Sequence, residues 1–171
     1  MTPPPVKGTR RVTLLALLTA IALTIFMIEA QLPVLVPIQG VKLGLANIIT
    51  VYAVFVLGPG DALLILCARV FLGAVFSGQM MTLLYSMGGG LLAWLAMVGL
   101  RKLLTRQQIW LCSPVAAVFH NIGQLLVAAG VMKTWAVMAY LPYLLLSGII
   151  TGLFTGLCAQ FLIGRLDRIG W

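Results

Sequence analysis

Six stretches of the chain are nearly continuous runs of apolar residues, at about 12–29, 41–58, 61–77, 82–100, 114–131 and 140–163. Each is close to the roughly 20 residues a helix needs to cross the hydrocarbon of a bilayer. The pattern predicts an all-α fold, a polytopic membrane protein built as a six-transmembrane-helix bundle. The breaks between runs carry their own chemistry. Pro33, Pro37 and Gly40 in QLPVLVPIQG make the first connection extended, because neither flanking helix can continue through them. LGPGD predicts a tight turn, with Asp61 placed to cap the third helix. RKLLTRQQIWLCSP is the long polar connection, and its end reads as a cap residue, Ser113, followed by a proline at the first helical position, Pro114. GVMKTW separates the fifth helix from the sixth.

Composition strengthens the membrane assignment. Of 171 residues, 62% are hydrophobic and 8% charged, and the mean hydropathy is +1.13. A water-soluble domain needs far more charge to cover its outside. The formal net charge of +8 has no basic stripe with interleaved aromatics behind it, so nucleic acid is not the expected partner. The basic residues instead sit at the ends of the apolar runs. Lys7, Arg10 and Arg11 precede the first helix, Arg101, Lys102 and Arg106 follow the fourth, and Arg165 and Arg168 close the chain, against Lys42 and Lys133 on the opposite side. The positive-inside rule puts both termini in the cytoplasm, as an even number of spans requires. The expected organisation is a cytoplasmic N-terminal tail at 1–11, a six-helix transmembrane domain at 12–164 and a cytoplasmic C-terminal tail at 165–171.

The basic flank and apolar run of the opening residues resemble a secretory signal. The run is longer than the usual 7 to about 15 residues, and no A-x-A-like site follows it. A retained first membrane helix is expected. Cys67, Cys112 and Cys158 form no close pair and have no neighbouring histidine, so they read as small apolar fillers with no metal site and no disulfide framework.

Two helices present small residues at every fourth position. Gly148, Gly152 and Gly156 leave one face of the sixth helix almost bare, suited to close helix packing. Ala16, Ala20 and Thr24 do the same on the first helix, where the ridge suits either packing within the bundle or docking of a separate membrane subunit.

The polar residues inside the spans carry the candidate chemistry. Arg69 lies mid-depth in the third run, where a charge costs about 2.5–3.5 kcal/mol on insertion scales. It must face the protein interior and meet oxygens or an anion, since snorkelling to an interface is a long reach. Gly73 and Ser77 follow at helical spacing and open room on its face. AVFHNIGQLL places His120 and Gln124 four residues apart on one face, with Asn121 beside them. Three polar groups in one span need partners in the bundle or a wet cavity, so they are either ligand contacts or a structural network. Asn47 and Lys42 stand nearer the outer end of the second helix, and Glu29 at the same level is placed to pair with Lys42. Tyr85, Tyr140 and Tyr143 suit a pocket rim or interfacial anchoring equally. Together these residues suggest an outward-opening, cationic, amide-lined cavity that fits an amphiphile with an anionic head. The candidate substrate-binding set is Arg69, His120, Asn121, Gln124, Asn47, Lys42 and Tyr85.

Several chemistries have no motif here. There is no Walker A sequence, dinucleotide fingerprint or HExxH. Prenyl-chain synthesis needs clustered aspartates to hold Mg²⁺ around a diphosphate, and Asp61 and Asp167 are the only aspartates and lie far apart. The expectation is a non-enzyme without a cofactor.

The blocks KLGLANIITVYAVFVLGPGDALLILCARVFLGAVFSG, LYSMGGGLLAWLAM, FHNIGQLLVA and YLPYLLLSGIITGLFTGL resemble a bacterial membrane family. The family is labelled Gx transporter and also catalogued as heptaprenyl diphosphate synthase component I, and the likeness runs from about residue 12 to 164. That family is in turn similar to the substrate-binding S components of energy-coupling factor (ECF) transporters. The resemblance implies six helices in the bacterial cytoplasmic membrane and a small molecule held toward the outer face. It also implies docking of a transmembrane coupling subunit on an AxxxA pattern in helix one, matched by Ala16 and Ala20 in ALLTA, with ATPases as separate chains. The second label implies an association with isoprenoid metabolism.

Overall fold

The computed structural model describes residues 8–29, 31 and 45–169, leaving aside the side chains of 106 and 166–169. Six helices make up the fold: α1 (Thr9–Glu29), α2 (Asn47–Val56), α3 (Pro59–Ser77), α4 (Met80–Arg101), α5 (Ile109–Met132) and α6 (Leu141–Ile169). Short 3₁₀ turns at Arg106–Gln108 and Trp135–Tyr140 lead into the last two. Five helices, all but α2, are long and apolar enough to cross a membrane. Their outward faces are apolar too, with Leu64, Phe71 and Val75 exposed on α3 and Ile150, Leu153, Phe154 and Leu157 on α6. Lipid tails, not water, suit such a surface. The chain has the build of a multi-pass membrane protein.

Helices α1, α3, α4, α5 and α6 form an arc in which each packs on the next. The ten-residue α2 packs against all five, which is why most of its residues are buried. The second run therefore yields a much shorter helix than the 41–58 expected. At its C-terminal end Leu57 and Gly58 both donate their backbone N–H to the Ala53 carbonyl, at 2.9 and 2.8 Å, and Gly58 takes φ +119°, which a side chain would resist. The first connection with Pro33, Pro37, Gly40 and Lys42 lies outside the described residues.

Three other local expectations change. Helix α3 begins at Pro59, not after it, because proline is already set for the first helical turn. Asp61 is consequently inside the helix and caps nothing. It pairs with the Arg11 guanidinium of α1, whose Nε lies 3.2 Å away. Helix α5 starts five residues ahead of Pro114, at Ile109. The Trp110 N–H is satisfied across the interface by Gln160 Oε1 on α6 at 3.2 Å, and Ile109 and Cys112 are buried, so the extra turn has both a polar partner and an apolar face. Pro114 cannot donate to the Trp110 carbonyl, and that carbonyl backs against Gly156. Ser113, no longer a cap, shares a 2.7 Å hydrogen bond with Thr155. The sixth helix also runs on past the expected end of the membrane domain, to Ile169.

The Ser113–Thr155 bond gives a quantitative prediction. Interhelical bonds of this kind contribute about 0.6 kcal/mol on average and at most ~1.7. Ser113→Ala and Thr155→Val should each destabilise by that order, and the double variant by less than the sum, because it strands no buried hydroxyl. Unfolding of the four proteins in micelles reads the cycle; strict additivity would mean that the bond contributes nothing.

Two apolar clusters lie along the bundle. The larger includes Leu18, Val51, Val54, Ile65, Ala93, Met97, Ile109 and Ala116. The smaller holds Tyr85, Leu125, Ala128, Ala129, Val137 and Leu144. Along α5 the interval between the two is occupied by His120, Asn121 and Gln124, and along α4 by Ser86 and three successive glycines. The buried polar residues His120, Asn121, Gln124 and Ser86 thus fall between the two cores.

Candidate functional site

Arg69 projects inward from α3 one turn beyond Ile65 and is 3% exposed. Its guanidinium carbon lies 5.9 Å from the centre of the Phe26 ring on α1, a cation–π distance. Gly73, a turn further on, makes room for that ring: a Cβ there would come within 2.6 Å of Phe26 Cε1. The Glu29 carboxylate acts electrostatically on Arg69. Glu29 is itself buried and accepts the Leu45 backbone N–H at 3.0 Å. Neither Nε nor Nη2 of Arg69 has a hydrogen-bond partner.

The α5 residues reach the same region because α4 and α5 meet at their backbones. A Cβ on Gly123 would stand 2.6 Å from the Gly88 carbonyl oxygen and 2.8 Å from Gly89 Cα. One on Gly89 would stand 2.7 Å from Gln124 Cγ and 3.0 Å from His120 Nδ1. Glycine at these positions lets the helices approach within what any side chain would occupy, pressing His120 and Gln124 against α4. Arg69 and His120 lie close enough to act on each other electrostatically. Asn121 is turned about 100° from His120 by the helical repeat, toward α6, where its Nδ2 donates to the Leu144 carbonyl at 2.6 Å. Gly148 leaves space for that amide, while Gly152 and Gly156 back onto Pro114 and Trp110 of α5. By the same repeat Gln124 falls between His120 and Asn121 and is fully buried.

Among the described residues, seven buried polar atoms lack a well-formed hydrogen bond: Arg69 Nε and Nη2, His120 Nδ1, which lies beside the Gly89 backbone, Asn121 Oδ1, both amide atoms of Gln124, and Thr50 Oγ1 on α2. An unsatisfied polar group out of water costs roughly 1–3 kcal/mol, more if charged. Native proteins tolerate few such groups, and here six of the seven are on α3 and α5, with Arg69 near His120 and both His120 and Gln124 against Gly89. As a set they offer a cationic donor edge, an amide that both donates and accepts, and a fixed amide oxygen.

Of the residues singled out in the sequence, the structure brings together Arg69, His120 and Gln124, with Asn121 alongside. Asn47 is the buried first residue of α2. Tyr85 is packed in the smaller apolar cluster among Leu125, Ala128 and Leu144. Tyr143 is 72% exposed. Lys42 lies outside the described residues. Ala16 and Ala20 are on the exposed side of α1. Sequence reasoning missed the parts that assemble the site: Phe26 over the guanidinium, Glu29 as its electrostatic neighbour, and the Gly88–Gly89–Gly123 contact. The glycines had a visible signal, a GGG triplet inside one span and a lone glycine between the polar residues of another.

The sequence pattern of the heptaprenyl diphosphate synthase component I family matches residues 18–162. No curated protein and no solved structure matches significantly. The matched region reaches from α1 to α6 and includes every polar residue of the site on α3 and α5. The chain belongs to the heptaprenyl diphosphate synthase component I family.

Proposed function

We propose that this protein is a membrane substrate-binding subunit, without catalysis of its own, that takes up a small anionic or amphiphilic molecule in the manner of an ECF S component. The observation that carries the reading is the buried Arg69 edge, unpartnered at Nε and Nη2, near the open amide of Gln124. A charge kept in a bundle interior at a cost of several kcal/mol without internal hydrogen bonds marks a place where a ligand supplies them. In this reading the bundle sits in the bacterial cytoplasmic membrane with its basic end inside, and a coupling subunit with separate ATPases drives exposure of the site. Native mass spectrometry of the full chain released from nanodiscs tests the binding step. A small molecule retained by the wild type and absent from an Arg69 variant is expected; a wild type that retains nothing overturns the proposal.

The exposed Ala16 and Ala20 support docking through α1. A flat ridge of small side chains lets another helix approach closely, and Thr24 on the same ridge has turned its hydroxyl onto the Ala20 carbonyl at 2.9 Å. Ala16→Leu with Ala20→Leu should leave ligand retention unchanged and abolish uptake in cells. Normal uptake by that variant would remove this face from the account.

The family's name favours a second reading, an accessory membrane subunit associated with a prenyl diphosphate synthase. It requires a soluble partner that brings the Mg²⁺-binding aspartates this chain lacks. Copurification with such a synthase, and no retained small molecule, is its signature.

A further inference from the structure

From the donors and acceptors left open at this site, we infer that its occupant is a molecule with no more than one negative charge that carries an N–H or O–H donor beside its acidic group, and not a prenyl diphosphate. The inference rests on the binding reading above and narrows its substrate class.

Three observations carry it. The two unpartnered nitrogens of Arg69, Nε and Nη2, form one edge of the guanidinium plane. Their N–H bonds run parallel, the geometry that grips a carboxylate or phosphate with two hydrogen bonds. An acidic or strongly accepting group therefore belongs there.

The second observation concerns what else that group must bring. Asn121 is held with Nδ2 on the Leu144 carbonyl. A backbone carbonyl only accepts, so the amide has one orientation and its buried Oδ1 faces away from that bond with nothing donating to it. Gln124, whose amide oxygen and nitrogen are both open, presents the complementary pair that an amide, lactam or ureide edge matches. Ionised phosphates attached to a hydrocarbon chain offer acceptors only. They satisfy Arg69 and leave the Gln124 oxygen, beside His120, without a donor and out of water, at the full desolvation penalty.

The third observation is the charge balance. Arg69 is the one cation the buried residues supply among those described, and the Glu29 carboxylate already acts on it. In a low-dielectric interior each uncompensated charge is expensive. One guanidinium with a carboxylate acting on it leaves at most one positive charge for a ligand to balance, whereas an ionised diphosphate carries two or more. The prenyl diphosphate of the family's name, if it meets this protein at all, is then met by a partner chain or by another surface.

The test uses the full-length chain in nanodiscs, with two measurements. Native mass spectrometry with hydrogen–deuterium exchange identifies what the wild type retains and counts its exchangeable hydrogens. Thermal unfolding with added farnesyl diphosphate, and with inorganic diphosphate as its control, asks whether a prenyl diphosphate enters. The expected result is a phosphorus-free molecule with at most one acidic group and at least one further exchangeable hydrogen. Retention should fall about tenfold or more in both Arg69→Gln and Gln124→Leu, the loss of one charge-assisted or buried hydrogen bond. Farnesyl diphosphate should shift the transition no more than inorganic diphosphate does. A retained diphosphate lost in Arg69→Gln, or specific stabilisation by farnesyl diphosphate, overturns this inference and leaves the binding reading standing. A wild type that retains nothing, is not stabilised by farnesyl diphosphate and loses only stability on Arg69→Gln overturns both.

Discussion

Arg69→Met is expected to give a protein that folds, stays close to wild-type stability and has lost its ligand. The guanidinium is 3% exposed with two nitrogens unpartnered, so an apolar side chain of similar length removes its desolvation penalty, set against the roughly 3–5 kcal/mol that breaking a buried charge pair can cost. Methionine keeps contact with the Phe26 ring through its thioether. Removing the cation takes an electrostatic neighbour from buried Glu29, which still accepts the Leu45 N–H, so the two effects offset. Arg69→Lys preserves the charge without the flat two-donor edge and should retain ligand only weakly. Thermal unfolding and native mass spectrometry on the same samples read both effects. A Met variant that unfolds would mean that the guanidinium clamps helices instead of holding a ligand.

The largest expected effect on folding comes from Gly123. Even alanine there would bring its Cβ to 2.6 Å from the Gly88 oxygen and 2.8 Å from Gly89 Cα. Those are backbone atoms, so no side chain can swing aside and the helices must separate. Overpacking of a rigid contact costs typically about 1–3 kcal/mol, and Gly123→Val should exceed that and lose the monodisperse protein altogether. Gly130→Ala, on the same helix with nothing within 4 Å of the added carbon, is the control. It should be neutral or stabilising by up to about 1 kcal/mol, since alanine is the better helix former. Gly123→Ala should also weaken ligand retention, because α5 carries His120 and Gln124 away from α4 when the two helices part. Equal behaviour of the Gly123 and Gly130 variants would show that the backbone contact does not hold the bundle.

Helix number and order, and the approximate extent of the five long helices, could be read from the apolar runs because hydrocarbon imposes one length and one satisfied backbone on each span. The polar cluster was legible for the same reason: a guanidinium or a histidine amid twenty apolar residues stands out. Local punctuation was less reliable. Pro114 looked like a helix start, yet the preceding turn is stabilised by Gln160, fifty residues away, and nothing near Pro114 encodes that. Asp61 looked like a cap because its neighbours form a turn, while its partner Arg11 belongs to a helix brought near only by the fold. The shortness of α2 is likewise a tertiary matter, since its apolar run is as long as the others. What no single-chain pattern supplies is which faces meet. The pairing of Gly88 and Gly89 with Gly123 decides where His120 points, and either glycine alone says only that something comes close.

The seams of this bundle are of two kinds. On one side α5 is joined to α4 and α6 through bare main chain, at Gly88, Gly89 and Gly123 and at Gly152 and Gly156. On the other, α3 meets α1 through the Phe26 ring on Gly73 and meets α4 through Leu66 on Gly90, where the touching atoms belong to side chains with torsional freedom. The α4–α5–α6 seams are therefore the stiffer ones, and the seams of α3 are those where side chains can yield. Arg69 thus stands on the more yielding side of the polar cluster and the α5 amides on the stiffer one.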